Sequence, residues 1–568
     1  IETTYRALTT PDGEGGQYES FEGIVLTDTF QISEDGDSMD AIMFPQNNDR
    51  IVRQQRVPIN VIVGNPPYSV GQDSANDNNA NLSYPTLDAR IAATYAGRST
   101  AQLKNSLYDS YYRAYRWATD RVGDHGIVAF VSNGGWIDGN TADGVRLSMA
   151  DEFAHLWIYN LRGNQRTAGE LSRREGGKVF GSGSRSTIVI FVGVKNAKHT
   201  GPVQIHYRDI GDYLDRAEKL RLVDTSTIET LEWQSVQPNA HGDWISQRDS
   251  AFSSWPAIAS RGATGAVVFR TFSGGLKTNR DSWVYSFSMN SLREQVSRTL
   301  TFYQAELHRA EAQRGNERLQ DVVNRDPQSI SWSSSLLSSI DARRVIREET
   351  SAYRESAYRP FQGSHVYFDK SLNDRPGRLP SMFPTPHHRN YGIVLTGPAS
   401  HFDFTPFATN LIPNLHLLDT GQFFPRYTYE RIDGAAGGGF DFESTADTLG
   451  VDEWGYRRVD NITDEILEVY RTALDASVTK DQVFWSVYGQ LHVPGYRETY
   501  AADLKKMLPH IPTPENLERF TQLADAGEQL GSLHMRYEDV DPYPLDVEIR
   551  AGVDEHDRET WRVQKMKW

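Results

Sequence analysis

Residues 61–69 read Val61-Ile-Val-Gly-Asn65-Pro66-Pro67-Tyr68-Ser, and this stretch decides the fold of the first part of the chain. The β-branched run 61–63 predicts a strand that is buried on both faces, as in a parallel sheet. The two prolines end the strand and fix the backbone of the loop behind it. Because ligands bind at the carboxyl ends of strands in open α/β sheets, we expect this loop to present Asn65 and Tyr68 to a ligand.

Apolar segments on both sides of this loop predict an α/β fold. We expect a short strand at 21–29, further strands at 126–132, 154–161 and 187–192, and helices at 100–121 and 142–152. This alternation is typical of a parallel sheet with crossover helices. Residues 201–265 are interpreted as a connector, and 266–568 as a separate mixed α+β domain with one long amphipathic helix around 292–307.

Composition narrows the class of protein. The chain has 568 residues, enough for two to four domains, and no apolar stretch of membrane-spanning length. It contains no cysteine, which excludes thiolate zinc sites and favours a cytoplasmic protein, and we expect no bound metal. The start Ile-Glu-Thr-Thr has neither an initiator methionine nor a signal peptide, so we expect a fragment or a processed product.

The net charge of −16 argues against DNA binding, but charge is distributed unevenly. Between 162 and 185, six cations against two carboxylates leave a local charge of +4. A basic track on an acidic body is compatible with binding in one groove of DNA, and the alternative is a solvated surface loop. The candidate DNA-binding residues of this segment are Arg162, Arg166, Lys178 and Arg185.

The tetrapeptide Asn65-Pro66-Pro67-Tyr68 resembles motif IV of the amino-methyltransferases, most closely the branch that methylates adenine N6 in DNA. The resemblance implies that the Asn65 amide oxygen and the Pro66 carbonyl accept hydrogen bonds from the base amine, while Tyr68 stacks on the extruded base. It also implies that Asn65 lies against the cofactor, S-adenosylmethionine. The alternative is an ordinary proline turn after a core strand.

Two further segments resemble motifs of the same enzymes. Residues 126–137 are similar to motif VI and residues 178–191 to motif VIII. The second resemblance implies that Phe180 stacks on the face of the flipped adenine opposite Tyr68, at about 1–3 kcal/mol for each aromatic ring. The alternative is that Phe180 is a core residue at the end of a loop.

Longer segments outside these motifs are similar to the single-chain type ISP restriction-modification enzymes. That family joins a nuclease, a helicase-like motor, an N6-adenine methyltransferase and a C-terminal target recognition domain. The resemblance implies a partial Rossmann-like methyltransferase sheet in residues 1–200 and a target recognition domain in 266–568. The segments that carry it are 160–180, 275–281, 358–361 and 483–497.

The chain departs from the family pattern in its cofactor motifs. The family's glycine loop and its acidic ribose contact have no counterpart, because the cluster Gly13, Gly15 and Gly16 follows no buried strand. Asp28 stands where the family contacts the cofactor adenine. No Walker motif, helicase segment or nuclease carboxylate cluster is found. We therefore expect poor binding of S-adenosylmethionine, and upstream methyltransferase, helicase and nuclease parts in a parent polypeptide.

Base reading is predicted for the turn that carries Lys277, Asn279 and Arg280, since arginine suits guanine and asparagine suits adenine in the major groove of double-stranded DNA. The alternative is that Asp281 pairs with a neighbouring arginine and the turn merely packs. Three functions stay open: an adenine-N6 methyltransferase fused to its recognition domain, a DNA-recognition or partner-binding module with a vestigial methyltransferase core, and an RNA or protein amino-methyltransferase.

Overall fold

The structure, a computed structural model, describes residues 23–31, 34, 43–67, 82–101, 104–167, 169–181, 185–260, 265–313, 315–398, 400, 402–432, 450–546, 548–557 and 559–562. The expectations for Tyr68 and for the glycine cluster Gly13, Gly15 and Gly16 lie outside these residues. The chain divides into two units. The first comprises Ile1–Ile258, Thr396–Phe404 and Pro494–Pro512, and the second comprises Ala259–Leu395, Thr405–Val493 and Thr513–Trp568.

The first unit is built on a six-stranded sheet with the order β1-β2-β4-β3-β5-β6. Its strands are β1 Val61–Gly64, β2 His125–Asn133, β3 His155–Asn160, β4 Ile188–Asn196, β5 Gln204–Asp209 and β6 Gln234–Val236. β1 pairs parallel with β2, and β3 pairs parallel with β5. β4 lies between β2 and β3 and runs antiparallel to both. Strands β1, β2, β3 and β5 therefore share one direction.

The expectation of a wholly parallel sheet is wrong for β4. A parallel connection needs a crossover that packs on a sheet face. Residues 161–187 contain one helix, Gly169–Glu175, and none of its residues is buried. They join β3 directly to its neighbour β4, so the chain reverses direction. The coarser prediction of a mixed α/β protein with several sheets and helices is confirmed.

Helices pack on both faces of this sheet, since Val128 and Phe130 belong to one apolar cluster and Val131 belongs to another with Leu222 and Val223. Asp109 starts one of them by accepting a hydrogen bond from the backbone N–H of Tyr111, so the helix expected over 100–121 begins at Ser110. Side chains from this helix and its neighbours pack with Val128, Phe130 and Phe191 in one apolar core. The described α-helices within residues 43–258 are α1 Pro45–Arg56, α2 Pro85–Ile91, α3 Ser110–Arg121, α4 Asp143–Glu152, α5 Gly169–Glu175 and α6 Arg216–Asp224.

The opposite face of the sheet is open at β1. Val61 and Val63 are 55% and 75% exposed, and Ile127, the register partner of Val61, is 36% exposed. The prediction that 61–63 is buried on both faces is therefore wrong. β1 is an edge strand in the described part of the chain, and its side chain Ile62 alone points to the core.

Two other expectations are corrected. Described residues 23–29 form no strand, because the amide side chain of Asn47 takes both backbone groups of Leu26 at 2.8 and 2.7 Å. Residues 201–258, expected to form a connector, instead supply β5, β6 and α6 to the first unit. The short helices Pro494–Thr499 and Ala501–Lys506 also belong to this unit, although they come from the range predicted as the recognition domain.

The second unit combines three small sheets with long helices. The sheet orders are β13-β9-β10-β8, β12-β11-β14-β7 and β15-β16. Its strands are β7 Ser273–Gly274, β8 Tyr285–Ser286, β9 Tyr353–Arg359, β10 Gln362–Tyr367, β11 Gly392–Leu395, β12 Pro406–Thr409, β13 Ile412–Pro413, β14 Gln422–Pro425, β15 Tyr427–Arg431 and β16 Tyr456–Asp460. Its helices are α7 Asp281–Val284, α8 Met289–Gln313, α9 Leu319–Val322, α10 Ser334–Asp341, α11 Leu379–Met382, α12 Asp464–Ala473, α13 Lys480–His492 and α14 Leu517–Met535.

The predicted long helix is confirmed as α8, which buries the apolar positions from Leu292 to Leu307. Helices α13 and α14 cross closely because glycines stand at the crossing. A Cβ on Gly489 would lie 2.2 Å from the Leu523 carbonyl oxygen, and one on Gly527 would lie 2.1 Å from that of Trp485. Within the described ranges, no helix combines the length and apolarity needed to cross a lipid bilayer.

Candidate active site and nucleic-acid interface

The topology gathers several loops at one edge of the six-stranded sheet. β1, β2, β3 and β5 end at this edge, and β4 begins there. The loop behind β2 joins the start of β4 through Gly134 N–H, which donates to Thr187 O at 2.8 Å. The loop behind β3 also joins the start of β4, because Ile188 N–H donates to Arg162 O at 3.1 Å. The edge therefore brings together Asn65–Pro67 and residues 134–139, 161–167 and 185–187.

Asn65 and Pro67 are exposed and Pro66 is half-buried, directly behind β1. The strand ends at Gly64, as the prolines predict. An asparagine amide and a proline carbonyl provide two oxygen acceptors that suit the two N–H groups of an amine. The described part of this loop thus carries acceptor groups of the types that an amine needs, and the position of Tyr68 lies outside the described residues.

Asp28 is tied into the first unit. Its Oδ2 accepts a 2.7 Å hydrogen bond from the Tyr84 hydroxyl, and its Oδ1 accepts one from Phe30 N–H at 3.0 Å. Tyr84 is 1% exposed, and the Arg113 guanidinium lies 5.1 Å from its ring centroid. The carboxylate is therefore held in one orientation beside the amino end of α2.

Arg162 does not project freely from the basic segment. Its Nε donates to Asp209 Oδ1 at 2.7 Å and its Nη1 to Asp212 Oδ1. These charge-assisted bonds raise the pKa of the guanidinium, against the opposing effect of burial. Arg162 also adopts a left-handed backbone conformation, with φ of 54°. The structure thus gives Arg162 two carboxylate partners at the end of β5, and its contact with DNA stays a prediction.

The stretch before Phe180 is fixed through its carbonyl groups. The buried Lys219 ammonium of α6 donates to Glu175 O at 2.7 Å and to Gly177 O at 2.9 Å. Arg216 Nε donates to Val179 O at 3.0 Å. Burial lowers the pKa of Lys219. Helix α6, which lies in the predicted connector, therefore holds the backbone that carries the predicted stacking residue.

Phe180 itself is half-buried and packs against a small apolar cluster that includes Val179 and Ile188. One side of the ring is thus occupied by the protein. Arg166 and Arg185 are exposed, and Lys178 is half-buried. The loop behind β3 and the approach to β4 bind each other, since Gln165 N–H donates to Arg185 O at 2.9 Å. The basic surface of this edge therefore includes Arg166, Lys178 and Arg185.

In the second unit, Arg280 does not face solvent. The residue is 3% exposed, and its guanidinium donates to Ser331 O at 3.2 Å, Leu372 O at 2.6 Å and the Ser333 hydroxyl at 2.5 Å. Burial lowers the pKa of Arg280 to about 10. Each of the three guanidinium nitrogens of Arg280 therefore donates to a distant segment of the protein, and this burial argues against the predicted base contact.

The other residues of this turn behave differently. Lys277 is half-buried and Asn279 is exposed, with Asn279 Nδ2 donating to Asp374 Oδ2 at 2.8 Å. Asp281 accepts hydrogen bonds from the Thr278 hydroxyl and, at 3.3 Å, from Asn414 Nδ2. These hydrogen bonds to Asp281 thus hold the turn, and among the described residues the alternative of an Asp281–arginine ion pair is not observed. Lys277 and Asn279 stay candidates for nucleic-acid contact.

Sequence reasoning missed the residues that anchor these loops. Tyr84, Asp209 and Lys219 act on partners 56, 47 and at least 42 positions away, so no local motif marks them. Among the described residues, no group of three or more histidine, aspartate or glutamate side chains is arranged to hold a metal ion.

Comparison with known proteins gives consistent findings. The family model of the Type ISP C-terminal specificity domain matches residues 267–568. A nuclease-deletion mutant of the Type ISP restriction-modification enzyme LlaGI, in complex with a DNA substrate mimic, is 36% identical with a TM-score of 0.79, over 97% of this chain and 40% of that chain. The ATP-dependent Type ISP enzyme LlaBIII bound to DNA is 32% identical with a TM-score of 0.79, over 95% of this chain and 33% of that chain.

A third solved structure, the DrdV–DNA complex, is 32% identical with a TM-score of 0.79, over 99% of this chain and 52% of that chain. The chain thus spans between a third and about half of the length of these three proteins. None of the curated proteins compared with it matches.

Proposed function

This chain belongs to the Type ISP restriction-modification enzymes, and from that premise we propose that it recognises a specific sequence in double-stranded DNA and methylates adenine at N6 with S-adenosylmethionine. Residues 267–568 are the specificity region of the family. The methyl transfer is proposed for the longer polypeptide of which this chain matches a part in its relatives.

The observation that carries the proposal is the placement of Asn65–Pro67. The segment leaves a strand at the carboxyl edge of the sheet, with the asparagine exposed, and the loops behind β2 and β3 leave the sheet at the same edge. That is the edge at which open α/β sheets bind ligands. The residue types fit an exocyclic amine, which needs acceptors for two N–H groups.

These residues need only accept hydrogen bonds from the adenine amine and hold the base in place. The lone pair of an adenine amine is delocalised into the ring, so the amine is a weak nucleophile. Hydrogen bonds from N6 to the Asn65 amide oxygen and the Pro66 carbonyl favour a tetrahedral nitrogen whose lone pair points at the methyl donor. Phe180, and Tyr68 by the family resemblance, would stack on the extruded base and offset part of the cost of unpairing it.

S-adenosylmethionine would supply the methyl group as a sulfonium. The described residues fit only part of this cofactor. Asp28 is an oriented carboxylate that would accept from the cofactor adenine, but its oxygens already bind Tyr84 and Phe30 within the protein. The glycine cluster at 13–16 lies outside the described residues. A complete cofactor pocket therefore requires residues beyond those described.

DNA contact is proposed for exposed and half-buried groups in each unit. Arg166, Lys178 and Arg185 in the first unit suit phosphate oxygens because they retain accessible charge. Lys277 and Asn279 in the second unit suit base edges or phosphates. The LlaGI structure contains a DNA substrate mimic and the LlaBIII and DrdV structures contain DNA, which supports this assignment.

The test uses the protein expressed from its complete reading frame. Radiolabelled S-adenosylmethionine is incubated with duplexes of varied sequence, and digested nucleosides are resolved for N6-methyladenine. Asn65→Ala is expected to lower the transfer rate by about 10²–10³-fold, because one preorganised acceptor is lost. Asn60→Ala, at the exposed amino end of the same strand, is the matched control and is expected to be neutral.

Sequence-specific DNA binding without any methyl transfer would refute the enzymatic proposal and favour the non-catalytic recognition module. Methylation of RNA or protein in place of DNA would refute both. A transfer rate that is equal in Asn65→Ala and Asn60→Ala would show that the loop behind β1 is not the amine-binding site.

A further inference from the structure

A stretch of the specificity region is built into the first unit. Residues 494–512 fall within the range matched by the specificity-domain family model, yet they pack in the unit that contains Asn65. They pair with the segment just before residue 259, since Ile258 N–H donates to Pro509 O at 2.8 Å and Ile511 N–H donates to Pro256 O at 2.8 Å. This contact is part of the first unit's own core, in which Ile511 is 2% exposed.

Lys506 of this stretch places its ammonium group in a buried cluster of charged side chains. Its side chain is 2% exposed, and its Nζ lies 3.1 Å from Asp243 Oδ1 and 3.1 Å from Asp138 Oδ1. It also donates to Ser246 O. Asp243 is fully buried and has two further cationic neighbours, Arg248 at 2.8 Å and Arg146 at 3.6 Å.

Asp138 lies in the loop behind β2, at the edge of the sheet where β1 presents Asn65. Ser246 Oγ donates to Asp138 Oδ2 at 2.7 Å, and Asn140 Nδ2 donates to Lys506 O at 2.9 Å. On the other side of the loop, Arg146 donates to Trp136 O at 2.8 Å and to Gly139 O at 2.9 Å. The loop is thus held from α4 and from the returning stretch 494–512.

We propose that Lys506 is a positioning residue through which the specificity region fixes the loop behind β2 next to the amine-binding loop. The inference rests on the proposed methyl-transfer function. Lys506 is buried and acts through the Asp138 carboxylate. The specificity region therefore contributes to the reaction rate as well as to sequence choice.

The ion pairs that remain without Lys506 explain why its loss is expected to affect the loop behind β2 more than the buried cluster around Asp243. Asp243 keeps Arg146 and Arg248 when Lys506 is removed, so its buried charge stays compensated. Asp138 retains Lys505, which lies 3.9 Å away and is 58% exposed, a pair of the weak surface kind. Among the described residues, the Asp138 carboxylate thus loses the one buried cation with which it forms an ion pair.

The experiment compares Lys506→Met with Lys505→Met in the complete protein. Both remove one positive charge from adjacent positions, and one of them is buried. Lys506→Met is expected to lower kcat by about tenfold or more while KM for the cognate duplex and its Kd stay within about twofold, because misplacing a reacting group affects the rate more than binding. Lys505→Met is expected to behave as the wild type.

Hydrogen exchange provides a readout that does not depend on activity. Peptides that cover residues 133–142 are expected to exchange faster in Lys506→Met than in Lys505→Met, with peptides over 174–180 unchanged. Lys506→Arg, which restores the charge, is expected to recover part of both effects. If Lys506→Met does not fold, Asp138→Asn removes the same ion pair without disturbing Asp243 and has the same expected outcome.

Equal kcat and equal exchange in the two lysine variants would overturn the inference. A parallel loss of kcat and of cognate DNA affinity would also overturn it, because it would indicate general loss of structure. If the wild type transfers no methyl group, the proposed function fails, while the exchange of residues 133–142 still decides whether Lys506 positions the loop.

Discussion

The basic segment 162–185 and the turn 277–281 carry similar sequence signals and have different structures. Each contains a non-glycine residue in the left-handed region, Arg162 with φ of 54° and Asn279 with φ of 56°. The first is predicted to bind DNA from its positive charge, and the second from residue types that suit base edges. In the first segment Arg166 and Arg185 are exposed, whereas in the turn the arginine at 280 is 3% exposed.

The difference lies in the acceptors that each arginine meets. Arg280 finds two carbonyl oxygens and a hydroxyl from segments more than 50 positions away, and desolvation lowers its pKa to about 10. Arg166 and Arg185 stay in water, where their charge is available to phosphates. Charge in a sequence therefore predicts a DNA contact only when the side chain has no buried acceptors to satisfy.

The strongest test of this contrast is Arg280→Met. We expect the free energy of unfolding of the second unit to fall by about 2–4 kcal/mol, because three buried acceptors lose their donor. Urea denaturation measures this loss, and Lys277→Met on the same turn is the control that should change it little. The contrast fails if Arg280→Met keeps its stability but loses affinity for the cognate sequence alone.

A second test concerns the anchor of the basic segment. Lys219→Met is expected to destabilise the first unit by about 1–3 kcal/mol, since the carbonyls of Glu175 and Gly177 lose a buried donor. Hydrogen exchange at 174–180 should rise more than exchange elsewhere. Arg221→Met, an exposed position on the same helix, is the matched control. Unchanged exchange in Lys219→Met would show that α6 does not hold the segment.

The exposed arginines are tested together in Arg166→Ala/Arg185→Ala. We expect affinity to fall alike for cognate and random duplexes, by about tenfold or about 1.4 kcal/mol. The slope of log K against log salt should decrease by about 0.9 for each lost phosphate contact. Arg221→Ala controls for net charge. A loss confined to the cognate duplex would instead assign these arginines to base reading.

The smallest expected effect distinguishes the role of the left-handed backbone conformation of Asn279 from the role of its side-chain amide. Both Asn279→Gly and Asn279→Ala remove the amide, but alanine should cost about 1 kcal/mol more in stability because it resists the left-handed conformation. If the amide reads a base, both variants relax sequence preference equally in a duplex competition assay. If only the alanine variant is affected, the turn geometry matters and the amide does not.

The strands and helices were predictable where the apolar pattern is strong. The positions of β1, β2, β3, β4 and the long helix α8 follow from the sequence, and so does the family. The direction of β4 does not, since it depends on whether 161–187 crosses a sheet face. The expected strand at 21–29 gave way to side-chain bonds from Asn47, which lies 21 residues beyond Leu26.

The site was predictable to the extent that local sequence defines it. Prolines at 66 and 67 end β1 and present Asn65 at the carboxyl edge, as expected. The anchoring residues could not be found, because Lys219 and Lys506 acquire meaning only through partners that folding brings close. The burial of Arg280 could not be predicted for the same reason, because its acceptors at Ser331 and Leu372 are 51 and 92 positions away.

The return of residues 494–512 into the first unit has a consequence for exchanging specificities between relatives. A chimera cut at residue 267 replaces the donor of a buried ion pair along with the recognition surface. The residue that the donor chain supplies at position 506 must then form an ion pair with the recipient's Asp138. Grafts that keep 494–512 from the recipient avoid this mismatch, and such a graft needs three cuts where the boundary at residue 267 needs one.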